Sequence, residues 1–73
     1  MTDRETFLAR AAEARANADS ALLDNVRDRC LRSEAAWSEM AARAERTEKM
    51  RAARDAEKAA MIVEMAIEAK PSL

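Results

Sequence analysis

Asn17-Ala18-Asp19-Ser20 is the stretch whose reading decides the fold. Three residues that compete for backbone hydrogen bonds fall within four positions, the composition of a turn followed by a new helix N-cap. Elsewhere the chain asks for helix. It has no glycine and a single proline, Pro71, so the usual makers of turns and breaks are missing from near Thr2 to about Ala69. Alanine, the best helix former, fills many of those positions, with arginine and glutamate close behind it. One reading runs a single helix through Asn17–Ser20. The other folds the chain back there, and a short loop then makes the two helices antiparallel neighbours. The hairpin is favoured, because an isolated helix would leave Phe7 and Leu8 stranded in water.

Upstream of the turn, Thr2-Asp3-Arg4-Glu5 fits a capping box, with Thr2 accepting from the Glu5 amide and the Glu5 side chain reaching back. Asp3 also suits the positive end of the helix dipole. Phe7, Leu8, Ala11, Ala14 (or Ala12 with Arg15) and Ala18 recur at three- and four-residue spacing as a narrow apolar stripe. Helix one is expected at about residues 3–17 and the turn at 18–20.

Downstream, Ser20 or Asp19 is expected to cap a second helix from about residue 21 to 69, with Asp24 in its first turn. Leu23, Val26, Cys30, Ser33, Trp37, Met40, Ala44 and Thr47 alternate four and three apart, the spacing of a coiled-coil seam. Past Thr47 the seam positions would be Arg51, Arg54 and Lys58, so Arg46–Lys58 reads as a solvated helix laced with charge pairs. Glu39 with Arg43, Glu45 with Lys49 and Asp28 with Arg32 each place acid before base at i,i+4, an arrangement worth a few tenths of a kcal/mol. A continuous second helix of 49 residues would be about 73 Å long, and helix one would cover only about its first third.

Ala59-Ala60-Met61-Ile62-Val63-Glu64-Met65-Ala66-Ile67 then holds the densest apolar cluster of the chain. On a helix, Ile62, Met65, Ala66 and Ala69 share one face, with Met61 beside them. Such aliphatic side chains need a cover. Either another copy of the chain or a groove on a larger protein supplies it, and another copy is the favoured cover.

Composition narrows the function. The chain has 73 residues, enough for one domain near the size where a single core barely offsets chain entropy. Its 49% apolar content is mostly alanine, which buries little area. Thirteen basic and 14 acidic residues leave a net charge of −1, which argues against nucleic acid, a partner that wants a positive surplus on one face. Arg27, Arg29 and Arg32 make the best basic cluster, but Asp24, Asp28 and Glu34 are interleaved with them. With no histidine and one cysteine, a zinc site lacks ligands. A carboxylate di-metal centre lacks its Glu-x-x-His pairs, so Glu34 and Glu39 read as a solvated face.

Cys30 has arginines beside it, which would lower its pKa if it were exposed. It falls on the stripe of Val26 and Trp37, however, and reads as a packing residue. There is no glycine from which to build a phosphate loop or an oxyanion turn. Neither a catalytic residue nor a cofactor is expected. The lone cysteine fits a reducing cytosol. No secretory signal is recognisable, and no apolar run approaches the roughly 20 residues that span a bilayer. Glu64 and Glu68 dominate the polar side of the tail, opposite in sign to the basic face of a membrane-surface helix.

Ala11-Ala12-Glu13-Ala14-Arg15, Asn25-Val26-Arg27, Ala36-Trp37 and Met40-Ala41-Ala42-Arg43-Ala44-Glu45 resemble the pattern of a group of short, uncharacterised alphaproteobacterial proteins. The resemblance covers Phe7 to Glu48, and the chain departs from the pattern after Glu48. It implies a bacterial helical hairpin and supplies no activity.

The sequence therefore predicts an all-α, single-domain antiparallel hairpin with a short first and a long second helix, coiled-coil-like and assembled into a homo-oligomeric bundle, a dimer above all. Phe7, Leu8, Leu23, Val26, Cys30, Leu31, Trp37 and Met40 are the expected hairpin core. Met61, Ile62, Val63, Met65, Ala66 and Ile67 are the expected contact with another copy or with a partner protein. The expected role is a non-enzymatic interaction or scaffold protein of the cytoplasm. The alternative is a small regulatory or adaptor module docking its C-terminal helix onto a larger protein.

Overall fold

Thr2 starts the first helix as its sequence asks. In the computed structural model, which describes residues 1–69, the Glu5 amide donates to Thr2 Oγ1 at 3.2 Å and the Thr2 amide donates to Glu5 Oε2 at 3.1 Å. The capping box thus satisfies two amides that have no partner within the helix. From there α1 runs over Asp3–Ser20 and, after a three-residue link, α2 runs over Asp24–Glu68. No strand occurs among the described residues. The two helices pack side by side in an extended shape of 79 × 16 × 11 Å.

The reversal lies three residues later than the sequence reading places it. Asn17, Asp19 and Ser20 stay inside α1, and Ala21-Leu22-Leu23 makes the turn. The hydrogen-bonding capacity that marked the segment as a turn is used within the helix instead. Asp19 pairs with Arg15 at 3.3 Å, and the Ser20 hydroxyl donates to the Asn17 carbonyl at 3.3 Å. Ala18 is only 1% exposed, so packing carries α1 through the segment. Neither Asp19 nor Ser20 caps α2. Its N-cap is Leu23, which has no capping side chain. The turn needs no glycine, since Ala21 and Leu23 are both extended and no residue among those described has positive φ. Arg27 steadies it, donating from Nη2 to the Ala21 carbonyl at 3.1 Å and pairing with Asp24 at 3.4 Å.

The fully buried residues of the hairpin are all alanines, Ala11, Ala14 and Ala18 on α1 and Ala41 on α2. Small side chains let two helices approach closely, and larger groups are pushed to the edges of the seam. Phe7, Val26, Cys30, Leu31 and Trp37 are half-buried there. Three expected core residues are not core. Leu23 is 62% exposed because it belongs to the turn, while Leu8 and Met40 lie on the outer edges of the seam and are exposed. Ala41 takes the central place expected of Met40, one position along, because a 3.6-residue period drifts off a strict four-three alternation within a few turns.

Two ion pairs bridge the helices, Arg4 with Glu48 at 3.0 Å and Arg15 with Glu34 at 3.8 Å. Along α2, Glu45 pairs with Lys49 at 3.3 Å as its spacing suggests. Glu39 reaches Arg46 at 3.8 Å instead of Arg43, and no pair joins Asp28 to Arg32 among the described residues. α2 runs unbroken through Thr47, whose hydroxyl donates to the Arg43 carbonyl at 3.1 Å.

Candidate functional site

α1 is about 27 Å long and α2 about 67 Å, at 1.5 Å per residue. Antiparallel packing from the turn outward therefore leaves the far part of α2 without a neighbour. Every residue from Glu45 to Ala69 is exposed. For Arg46–Lys58 this costs little, because the side chains there are mostly charged or alanine. Beyond Lys58 it costs much more: Met61, Ile62, Val63, Met65 and Ile67 are between 58% and 68% exposed. Fully burying one such side chain is worth roughly 1.5–3 kcal/mol, so this segment is the largest unspent source of association energy on the molecule.

At 100° per residue, Met61 lies about 100° to one side of Ile62 and Ile67 about 140° to the other. Over residues 61–69 the apolar arc is thus about 240° wide, with Glu64 and Glu68 grouped on the remaining side, and Lys58, one turn earlier, standing within its span. A helix lying on the surface of a globular core needs an apolar stripe only slightly wider than about 100°. An arc of twice that width suits a helix covered from more than one direction. The sequence reading brings together Ile62, Met65 and Ala66, and on the helix these three do share a face; Met61, Val63 and Ile67 flank it.

Open grooves flank the α1–α2 seam. One, of about 650 Å³, runs between the cap Thr2 with Asp3 and Phe7 of α1 on one side and Met40, Thr47 and Arg51 of α2 on the other. Met40 is thus the floor of a groove and not part of the buried seam. Another, of about 370 Å³, is lined by Arg10, Asn17, Arg29, Cys30 and Trp37 among others. Cys30 is half-buried on its edge. Among the described residues, no three of the Asp, Glu and Cys side chains converge so as to hold a metal ion, and no helix is long and apolar enough to cross a membrane.

No family model, no curated protein and no solved structure matches the chain.

Proposed function

We propose that this chain is a non-enzymatic, self-associating helical interaction or scaffold protein of the cytoplasm. Its short hairpin is the folded body, and the segment Met61–Ile67 is the contact between copies, which form a coiled-coil-like bundle of at least two. The observation that carries this reading is the run of five exposed aliphatic side chains on an arc too wide for solvent. The thin alanine seam adds to it. A hairpin with so few large buried side chains gains stability from association, as small domains commonly do. The net charge of −1 leaves little repulsion to keep copies apart.

The test is the Ile62→Lys, Met65→Lys double variant, sized by sedimentation equilibrium beside the parent chain. Self-association predicts that the parent sediments as a multiple of 8.1 kDa and that the variant falls to 8.1 kDa with its helix content largely kept. A parent that is monomeric throughout would refute the proposal and leave the adaptor reading, in which the tail docks into a groove on another protein.

A further inference from the structure

We infer that one face of α2, from Arg29 to Lys58, binds the phosphate backbone of duplex DNA without regard to sequence.

The net charge of −1 is an average over the whole surface, and α2 does not spread it evenly. At 100° per residue, Arg29, Arg32, Arg43, Arg51, Arg54 and Lys58 fall within a sector of the helix about 100° wide. Every carboxylate of α2 between residues 29 and 58 lies outside that sector. Asp24, Asp28 and Glu34, interleaved with the arginines in sequence, point to other sides of the helix. All six cations are exposed, and none of them makes an ion pair among the described residues. Every other arginine and lysine among the described residues is paired with a carboxylate. The uncompensated positive charge is thus gathered on one face, the surplus that nucleic acid requires.

α1 leaves this face open. It packs along Trp37 and Ala41, about 110° round α2 from the middle of the sector. It brings two carboxylates to the same side, Asp3 and Glu13, at the margins of the grooves that hold Arg29, Arg43 and Arg51. Glu13 is paired with Arg10 at 3.4 Å, and Glu48, on the same groove, with Arg4 at 3.0 Å. The six cations with Arg10, against Asp3 and Glu13, leave this side at +5.

Spacing and residue type select the partner. The face is about 44 Å long. Arg29 with Arg32 stands about 36 Å from the group Arg51, Arg54 and Lys58, close to the roughly 34–36 Å helical turn of B-form DNA. A straight α2 laid along a duplex therefore crosses one strand at each end, with Arg43 about midway, facing the complementary strand. Five of the six are arginine, whose guanidinium bonds phosphate in bidentate fashion. Arg29 and Arg54 stand in the middle of the face, where a membrane-surface helix would carry apolar side chains. Single strands bind by stacking bases on aromatic side chains, and Phe7 and Trp37 already stack on each other.

The test is fluorescence anisotropy of a labelled mixed-sequence duplex of about 20 base pairs, longer than the 44 Å face, titrated with full-length protein from about 50 mM salt upward. The parent is expected to bind, with log K falling against log salt at a slope of about −5. The Arg51→Gln, Arg54→Gln double variant is expected to bind at least about tenfold more weakly, with a slope shallower by about two. The Arg46→Gln, Lys49→Gln double variant has the same net charge but loses cations outside the face, and it is expected to stay within about twofold of the parent. No binding by the parent would overturn the inference, and so would equal losses in the two variants. Tighter binding to an RNA duplex of the same sequence, or to phosphatidylserine vesicles, would overturn the assignment to DNA.

Discussion

Phe7 and Trp37 stack across the two helices with ring centroids 5.9 Å apart and planes inclined by 28°. They are the only two aromatic residues of the chain, and they lie near the open end of the hairpin, away from the turn. The pair clamps the end of α1 that loop closure does not hold. An aromatic pair of this kind is worth about 0.5–1.5 kcal/mol beyond its area burial. Trp37→Ala should destabilise the hairpin by about 2–3 kcal/mol, below the range for a fully buried tryptophan because the ring is half-exposed. A double-mutant cycle with Phe7→Ala, read by urea unfolding followed by circular dichroism, should return a coupling of about 1 kcal/mol.

The alanine seam makes a sharper prediction. Ala18 is essentially inaccessible, while Ala16, two residues earlier, faces water. Leucine at each position adds the same side chain with the same small effect on helix propensity. Ala18→Leu should cost about 1–3 kcal/mol by wedging the helices apart, and Ala16→Leu should be close to neutral. Equal effects in thermal unfolding would mean that the two helices do not meet through Ala18.

The turn predicts a gain. Leu23 caps α2 without a side-chain hydrogen bond and is itself exposed. Leu23→Asp supplies an acceptor for the first amides of α2 and a negative charge at the positive end of its dipole. It should stabilise the chain by about 0.5–1 kcal/mol. Thr2→Ala, which removes a cap that is present, should cost about 1 kcal/mol. Opposite signs for these two variants in the same unfolding assay are the expected result.

The Arg4–Glu48 pair joins the helices but is well solvated on both sides. Arg4→Ala should therefore cost no more than about 1 kcal/mol, and the difference should shrink as salt rises toward 1 M. A large, salt-independent loss would mean that the Arg4 stem packs on the seam and that its charge matters little.

The hairpin itself was legible in the sequence because nothing in the chain competes with helix. With glycine absent and proline held back to Pro71, a single polar cluster had to mark the reversal. Its exact place was not legible. Asn17, Asp19 and Ser20 are turn formers by local chemistry, yet the burial of Ala18 draws them into α1 and leaves an apolar link, Ala21-Leu22-Leu23, to make the bend. The same local reasoning ranked Leu23, Leu8 and Met40 as core because they are large. In a close two-helix contact the central places go to small residues, which is why Ala41 was overlooked. The exposed tail was the clearest signal of all, since Met61–Ile67 follows a charged stretch longer than helix one can cover.

The central claim is that this tail is a contact between copies of the chain. It is tested most directly by the absolute molar mass of the purified full-length protein, measured by light scattering after size exclusion across a hundredfold range of concentration. The account predicts a fixed multiple of 8.1 kDa, two or more, that holds over that range. A mass of 8.1 kDa at every concentration would contradict it.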